Sequence, residues 1–456
     1  MNFSLCRFSA AVALAAGFGV SVFAAGPLDR AVLHGETDKE RAIDYKEGEE
    51  MVFTLTLQGA EEFKEGDYFI HWQRTGDDGK SERGRVPLSA SKPLVIKTKL
   101  DMPGFVRVHA EVVDAKGQKY RKAYLGDTTT PEGRKAMNRF ERSDRRVFFD
   151  GGAGVKVDTL QSVPEPEDFD EFWAKRKARL AKVPMTATVR EHKSSDPAVK
   201  VFSFSVLCAG PRPVTGTYTV PADTSRKYPG HIWFHGYGSH YVQSIPSGGP
   251  KDKIFMHINA HGYELGREDE YYTEVYDSIK SNGKTFGLDS KWQNLSTDTA
   301  YFGWMCYRIM RALQFLKSLP EWDGKTLIAS GGSMGGLQTV WAAGLDPDVS
   351  DARPGIPWCC DMGGRQTLKR NYGGWGVDET EALRYFDPVN LAKRISKNCR
   401  VEITRAGLGD YCCPPNGVAI LYNNIPGPKK INWVQGSDHG YVPPEPHQKF
   451  SLSENW

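Results

Sequence analysis

The chain has 456 residues, 39% of them hydrophobic, 25% charged and 11% aromatic, which is ample material for a core and too long for one small domain. Its 59 Lys and Arg nearly balance 56 Asp and Glu, for a net charge of +3. With no basic run of the kind that tracks a phosphate backbone, no nucleic-acid partner is expected.

The first residues read as a targeting segment. Arg7 gives a positive start, residues 8–22 form an apolar run, and Val22-Phe23-Ala24 offers a small-residue cleavage site. Residues 1–24 are therefore expected to be a signal peptide and the mature protein to be exported, periplasmic or secreted. The run is too short for a comfortable membrane span, and no other stretch approaches ~18 apolar residues, so no stable membrane insertion is expected after cleavage. Cleavage leaves Cys208, Cys306, Cys359, Cys360, Cys399, Cys412 and Cys413. Their odd number leaves at least one thiol outside any disulfide, and their spacings resemble no zinc site, so no metal is expected. Cys208 and Cys306 read as buried small apolar side chains.

Residues 25–127 carry short β-type patterns. Met51 to Leu57 alternates, and Tyr68 to Gln73, Leu94 to Leu100 and Phe105 to Val113 are further strands. Hairpin chemistry sits at Thr75 to Lys80 and at Asp114 to Gln118. Within Phe105 to Val113, the side chains of Val106, Val108, Ala110 and Val112 share one face, and those of Arg107, His109 and Glu111 the other. The spacing predicts a small all-β, immunoglobulin-like sandwich. A spacer, an oligomer contact and a carbohydrate-binding module are the roles open to it. Residues 128–161, rich in charge, Gly and Pro, read as a linker.

Residues 162–456 read as an α/β domain with a mostly parallel sheet. A helix is expected over Pro166 to Leu180, acidic at its start and basic toward its end. Lys200 to Leu207 and Val214 to Val220 are antiparallel edge strands, His231 to Phe234 and Ile254 to Asn259 are buried strands, and Ala300 to Leu319 is a long helix. Further strands are expected at Val401 to Ala406 and Ile431 to Val434, with Ala382 to Ile395 helical between them.

The most informative stretch is Thr326 to Trp341, which contains G-G-S-M-G-G. A short apolar strand, a turn with Gly331 and Gly335 flanking Ser333, and an apolar helix start make the shape of a nucleophile elbow. Such a turn exposes a serine hydroxyl to a base and to oxyanion donors. Only His439 and His447 follow Ser333; His439 comes directly after a strand and His447 sits in a Pro-rich tail, so His439 is the candidate base. Asp410 lies in the loop one strand earlier and is the candidate acid. Asp438 should point elsewhere, and Asp387 reads as a helix cap. Backbone N–H groups of Tyr237 and Met334 are the candidate oxyanion donors.

Taken together, P-E-P-E-D-F-D-E-F-W (164–173), F-H-G-Y-G (234–238), A-L-Q-F-L-K-S-L-P-E-W-D-G-K (312–325), G-G-S-M-G-G (331–336), Y-F-D-P-V-N (385–390) and G-L-G-D-Y-C-C-P-P (407–415) resemble the acetyl xylan esterase and cephalosporin-C deacetylase family. The resemblance covers about Ser162 to Pro446. It implies an α/β-hydrolase fold and a serine esterase that removes acetyl groups from sugars, with Ser333, Asp410 and His439 as triad and Tyr237 and Met334 as oxyanion donors. Members often form ring-like hexamers, which an extra N-terminal domain could block, so a homo-oligomer is left open. Two positions depart from the family pattern: Met334 replaces its Gln, and His261-Gly262-Tyr263 replaces its Arg-Gly-Gln.

The expected protein is thus a cofactor-free esterase acting on acetylated xylan or another acetylated oligosaccharide or polysaccharide. A longer-chain esterase, a peptidase, or a carbohydrate-binding protein with a lapsed catalytic domain are the competing readings.

Overall fold

The computed structural model describes residues 25–238, 244–281, 285–286, 288, 293–373 and 377–456. The expected signal peptide, residues 1–24, lies outside the described residues. Among them, no helix is long and apolar enough to cross a membrane.

The N-terminal part holds β1 (Val32–Thr37), β2 (Glu50–Gln58), β3 (Tyr68–Gly76), β4 (Ser81–Pro87), β5 (Leu94–Lys99) and β6 (Gly104–Asp114). Helix α1 (Pro131–Arg142) and β7 (Phe148–Val155) follow. The strands form two antiparallel sheets, in the orders β1-β2-β5 and β4-β3-β6-β7. As the alternation requires, Val106, Val108, Ala110 and Val112 of β6 are fully buried in a core shared with Met51 and Phe53 of β2. Each of these valines, Met51 and Phe53 contributes about 1.5–3 kcal/mol on burial.

The expected linker contains more than a linker. Thr130 caps α1 by accepting from the Gly133 N–H, and β7 pairs along its length with β6. The sequence F-F-D-G-G-A-G-V hides this strand because three glycines look like loop composition. Here they permit close packing: a Cβ on Gly152 would lie 2.6 Å from the Val106 carbonyl oxygen and 2.9 Å from that of Leu408. Strand β7 is buried on both sides and leaves no room for larger residues.

Beyond it come α2 (Phe169–Ala181), β8 (Ala187–His192), β9 (Val199–Val206), β10 (Val214–Pro221), β11 (Tyr228–Phe234) and β12 (Ile254–Asn259). Next are α3 (Asp269–Ser278), the two-residue ladder of β13 (Lys280–Ser281) and β14 (Thr285–Phe286), and α4 (Tyr301–Ser318). Then follow β15 (Trp322–Gly332), α5 (Met334–Leu345), β16 (Asp351–Gly355), α6 (Pro388–Ala392), β17 (Arg400–Gly407), α7 (Pro415–Asn423), β18 (Lys429–Val434) and β19 (Lys449–Glu454).

Ten strands make one sheet in the order β19-β18-β17-β16-β15-β11-β12-β10-β9-β8. Strands β12, β11, β15, β16, β17 and β18 run parallel, while β8, β9, β10 and β19 pair antiparallel toward the edges. Helix α2 forms where expected because Phe169, Trp173, Arg176 and Leu180, spaced by three or four, fall on one buried stripe. The expected helix over Ala382 to Ile395 is broken: a 3-10 turn at Glu381–Phe386 stops at Asp387, which then caps α6 at the Val389 N–H. Pro388 causes the break, since its ring disfavours helical backbone at the preceding residue. The sheet and helices enclose the larger core, with Ile232, Phe234, Ala329, Leu337 and Trp341 all fully buried.

Candidate active site

Strand β15 lies at the middle of the sheet, paired with β11 and β16, and it delivers Ser333 at its C-terminal end. Ser333 has φ 58° and ψ −119°, outside the regions an L-residue prefers. Such strain persists only where surroundings over-determine it. Three backbone hydrogen bonds do so: the Ser333 N–H donates to the Gly355 carbonyl (2.9 Å), and the Ser333 carbonyl accepts from Leu337 (3.0 Å) and Trp358 (3.1 Å). The flanking glycines are required by the end of β11. A Cβ would lie 2.6 Å from the Phe234 carbonyl oxygen at Gly331 and 2.2 Å at Gly335.

Asp410 follows β17 and His439 follows β18, as the sequence places them. His439 Nδ1 lies 3.0 Å from Asp410 Oδ2 and 3.3 Å from Oδ1. With Nδ1 donating to the carboxylate, Nε2 is the acceptor. The Asp410 side chain is 1% exposed and that of His439 31%, so the carboxylate is sealed in and the imidazole reaches the solvent side. Asp410 Oδ1 also accepts the N–H groups of Cys412 (3.1 Å) and Cys413 (2.9 Å), which fixes the carboxylate. Burial opposes a charged His439, but its hydrogen bonds to Asp410 and the Cys412 sulfur outweigh that and raise its pKa above the ordinary histidine value. Among the described residues, no hydrogen bond closes the leg from Ser333 Oγ to His439; such contacts often tighten only with substrate bound.

The alternatives set aside on sequence fall elsewhere. Asp438 Oδ1 accepts from the Gly440 and Tyr441 N–H groups, and His447 lies beside Pro444 and Glu445 in the tail. Asp387 is buried, with its carboxylate accepting the N–H groups of Met362 and Val389. Burial and the nearby Asp361 push its pKa up to about 7.

Met334 opens α5 and is fully buried. Tyr237 lies beyond the end of β11, its ring 5.9 Å from that of Trp358. Sequence reasoning missed the group that holds this loop, His261. It is buried, with Nε2 3.0 Å from the Gly238 carbonyl oxygen and Nδ1 2.9 Å from the Tyr301 hydroxyl. Asn259 Oδ1 accepts the N–H groups of His261 and Gly262, fixing the turn that presents the imidazole. Buried His235 adds a second tie, its Nε2 accepting from the Ala260 N–H at 3.1 Å. The signal was the departure from the family motif at 261, but nothing in sequence pointed it at Gly238.

The loops that carry Asp410 and His439 rest on the N-terminal sheets. Gln435 exchanges hydrogen bonds with the Gly152 N–H (2.9 Å) and carbonyl (2.8 Å). Arg107 pairs with buried Asp150 through two contacts of 2.8 and 2.6 Å, and its guanidinium lies 4.4 Å from the centre of the Tyr411 ring. Asp77 Oδ1 accepts the Asn371 N–H (2.7 Å) and the Asn416 side-chain amide (3.0 Å).

A strained serine between a central parallel strand and a buried helix, with an acid and a histidine on the loops after the following strands, defines an α/β-hydrolase. Residues 158–372 and 376–453 match the family model described as "Acetyl xylan esterase (AXE1)". The chain belongs to that family of carboxylic ester hydrolases. It is similar to the acetyl esterase Axe7A of Xylanibacter ruminicola, with 29% identity over 279 residues, 58% of this chain and 61% of the relative's length. Among solved structures it is similar to the acetyl xylan esterase from Paenibacillus sp. R4, with 22% identity, 63% of this chain and 94% of that chain covered, and a TM-score of 0.49. Acetyl Xylan Esterase 1 from Thermoanaerobacterium sp. JW/SL YS485 has 23% identity, 64% and 94% coverage, and a TM-score of 0.49.

Proposed function

We propose that the protein is an exported serine esterase that removes O-acetyl groups from carbohydrate, with acetylated xylan or xylo-oligosaccharides as substrate. The observation that carries the reading is the His439–Asp410 pair, 3.0 Å apart, set on the strands that follow the strained Ser333 turn. His439 Nε2 takes the Ser333 hydroxyl proton as Oγ attacks the acetyl carbonyl. Asp410 holds the tautomer and stabilises the imidazolium. The backbone N–H groups of Tyr237 and Met334 meet the oxyanion, and Met334 in place of the family's Gln leaves that N–H intact. His439 returns the proton to the leaving sugar hydroxyl, then activates the water that releases acetate. The N-terminal part, read as an immunoglobulin-like sandwich, serves to brace the acid and base loops.

Preference for acetate is supported by the family and by the curated relative, an acetyl esterase. Acetate release from acetylated xylan and xylo-oligosaccharides, alongside kcat/KM on p-nitrophenyl acetate and butyrate, tests the reading. Acetyl esters should be preferred; a better butyryl substrate, or cleavage of peptides instead, would overturn it.

A further inference from the structure

Neither the Cys412 nor the Cys413 thiol takes the serine proton or meets the oxyanion in the hydrolysis proposed above, yet the Asp410 loop turns both toward His439. One ligand atom from each of Asp410, Cys412, Cys413 and His439 lies within 4.8 Å of all the others. Cys413 Sγ is 3.7 Å and Asp410 Oδ2 3.0 Å from His439 Nδ1. In a tetrahedral zinc site with bonds of about 2.0 Å to N or O and about 2.3 Å to S, neighbouring donors lie roughly 3.3–3.8 Å apart. These two edges already match that spacing to within a few tenths of an ångström, and no other separation has more than about 1 Å to close.

The geometry points to a regulatory cation site: Asp410, Cys412, Cys413 and His439 bind one Zn²⁺-class divalent ion, and the bound ion silences the esterase. Two thiolates, one carboxylate and one imidazole form a donor set that borderline-soft zinc favours and that hard Mg²⁺ or Ca²⁺ does not. Cys412 and His439 are half-buried and give the ion a path in, while Asp410 and Cys413 are buried and hold the far side. On binding, both thiols lose their protons to solvent, the single proton of neutral His439 passes from Nδ1 to Nε2, and no electrons move. The ion then occupies the nitrogen that donated to Asp410, and Asp410 ligates the ion. The carboxylate no longer stabilises an imidazolium, and with Nδ1 on the ion and the proton on Nε2 the ring has no lone pair left to take the serine proton, so His439 cannot act as a base.

Binding rests on geometry alone; the inhibitory half rests on the proposed function. The test therefore has two readouts on the full chain kept reduced. Titration with Co²⁺ should produce an intense thiolate-to-cobalt charge-transfer band, displaced by Zn²⁺. Cys412→Ser and Cys413→Ser should each weaken binding by more than the roughly 10- to 100-fold typical of losing an outer hydrogen-bond partner at a metal site. Zn²⁺ should abolish acetyl-ester turnover and a chelator should restore it. Measured against its own metal-free turnover, Cys412→Ser should escape inhibition by Zn²⁺. No thiolate band with folded protein, or affinity in both serine variants unchanged from that of the parent protein, would overturn the site. Binding with turnover untouched would overturn the silencing and the role given to His439. A thiolate band in a chain without esterase activity would overturn the proposed function and leave the cation site standing.

Discussion

The serine and the acid-base pair are held in place by different means. The elbow is built within the ten-stranded sheet from backbone alone: Ser333 is pinned by Gly355, Leu337 and Trp358, and the turn fits because Gly331 and Gly335 yield to Phe234. The loops bearing Asp410 and His439 are braced by a separate part of the chain. A Cβ on Gly409 would lie 1.8 Å from the Asp150 carbonyl oxygen, and Gln435 and Tyr411 meet Gly152 and Arg107. The contacts that pin the Ser333 turn thus stay within the ten-stranded sheet and its helices, whereas those that brace the Asp410 and His439 loops reach the N-terminal sheets.

Substitutions can break that contrast at either end. Ser333→Ala should lower kcat/KM by about 10⁶-fold with the melting temperature unchanged, since the backbone bonds of the turn do not involve Oγ. Asp410→Asn should cost about 10⁴-fold, because an amide favours the wrong imidazole tautomer. Unreduced turnover in either variant would remove that residue from the mechanism.

Arg107→Leu leaves buried Asp150 without its partner, which costs about 3–5 kcal/mol for a fully buried pair. The loss should fall toward the lower end, since the Arg107 side chain keeps 26% exposure. Denaturant unfolding measures it, and kcat should fall with it as the Tyr411 loop loosens. Stability lost with kcat intact would show that the brace holds the fold but not the loops.

His261→Phe removes both hydrogen bonds that tie Gly238 to Tyr301. A loss in kcat of about tenfold is expected, less than the roughly 100- to 1,000-fold of an oxyanion donor itself. The smallest effect is a shift in pH profile. In the proposed mechanism His439 acts as base only when neutral, so activity should be present above its pKa and lost as pH falls through it. Because Asp410 raises that pKa, the acid limb of kcat/KM should lie above the ~6.5 of an unperturbed histidine. A midpoint below that value would show that burial, not Asp410, governs the imidazole.

How much of this could be read from the chain follows the same division. The elbow was legible because its requirements are local: glycine on either side of Ser333, a strand before and a helix after. Asp410 and His439 were legible from their order after known strands, and the face of Val106, Val108, Ala110 and Val112 from period-two alternation. Strand β7 was not, because its glycines answer to Val106 and Leu408 across an interface rather than to a turn.

Sequence by itself determined the sheet-and-elbow plan, the candidate residues and the family, because each rests on neighbours in the chain or on motif order. Only the tertiary structure decided that His261 holds Gly238, that β7 belongs to the N-terminal sheets, and that Cys412 and Cys413 close on His439. Those contacts join residues 23 to 51 positions apart, and spacing along a chain carries no information about which distant groups folding brings within bonding distance.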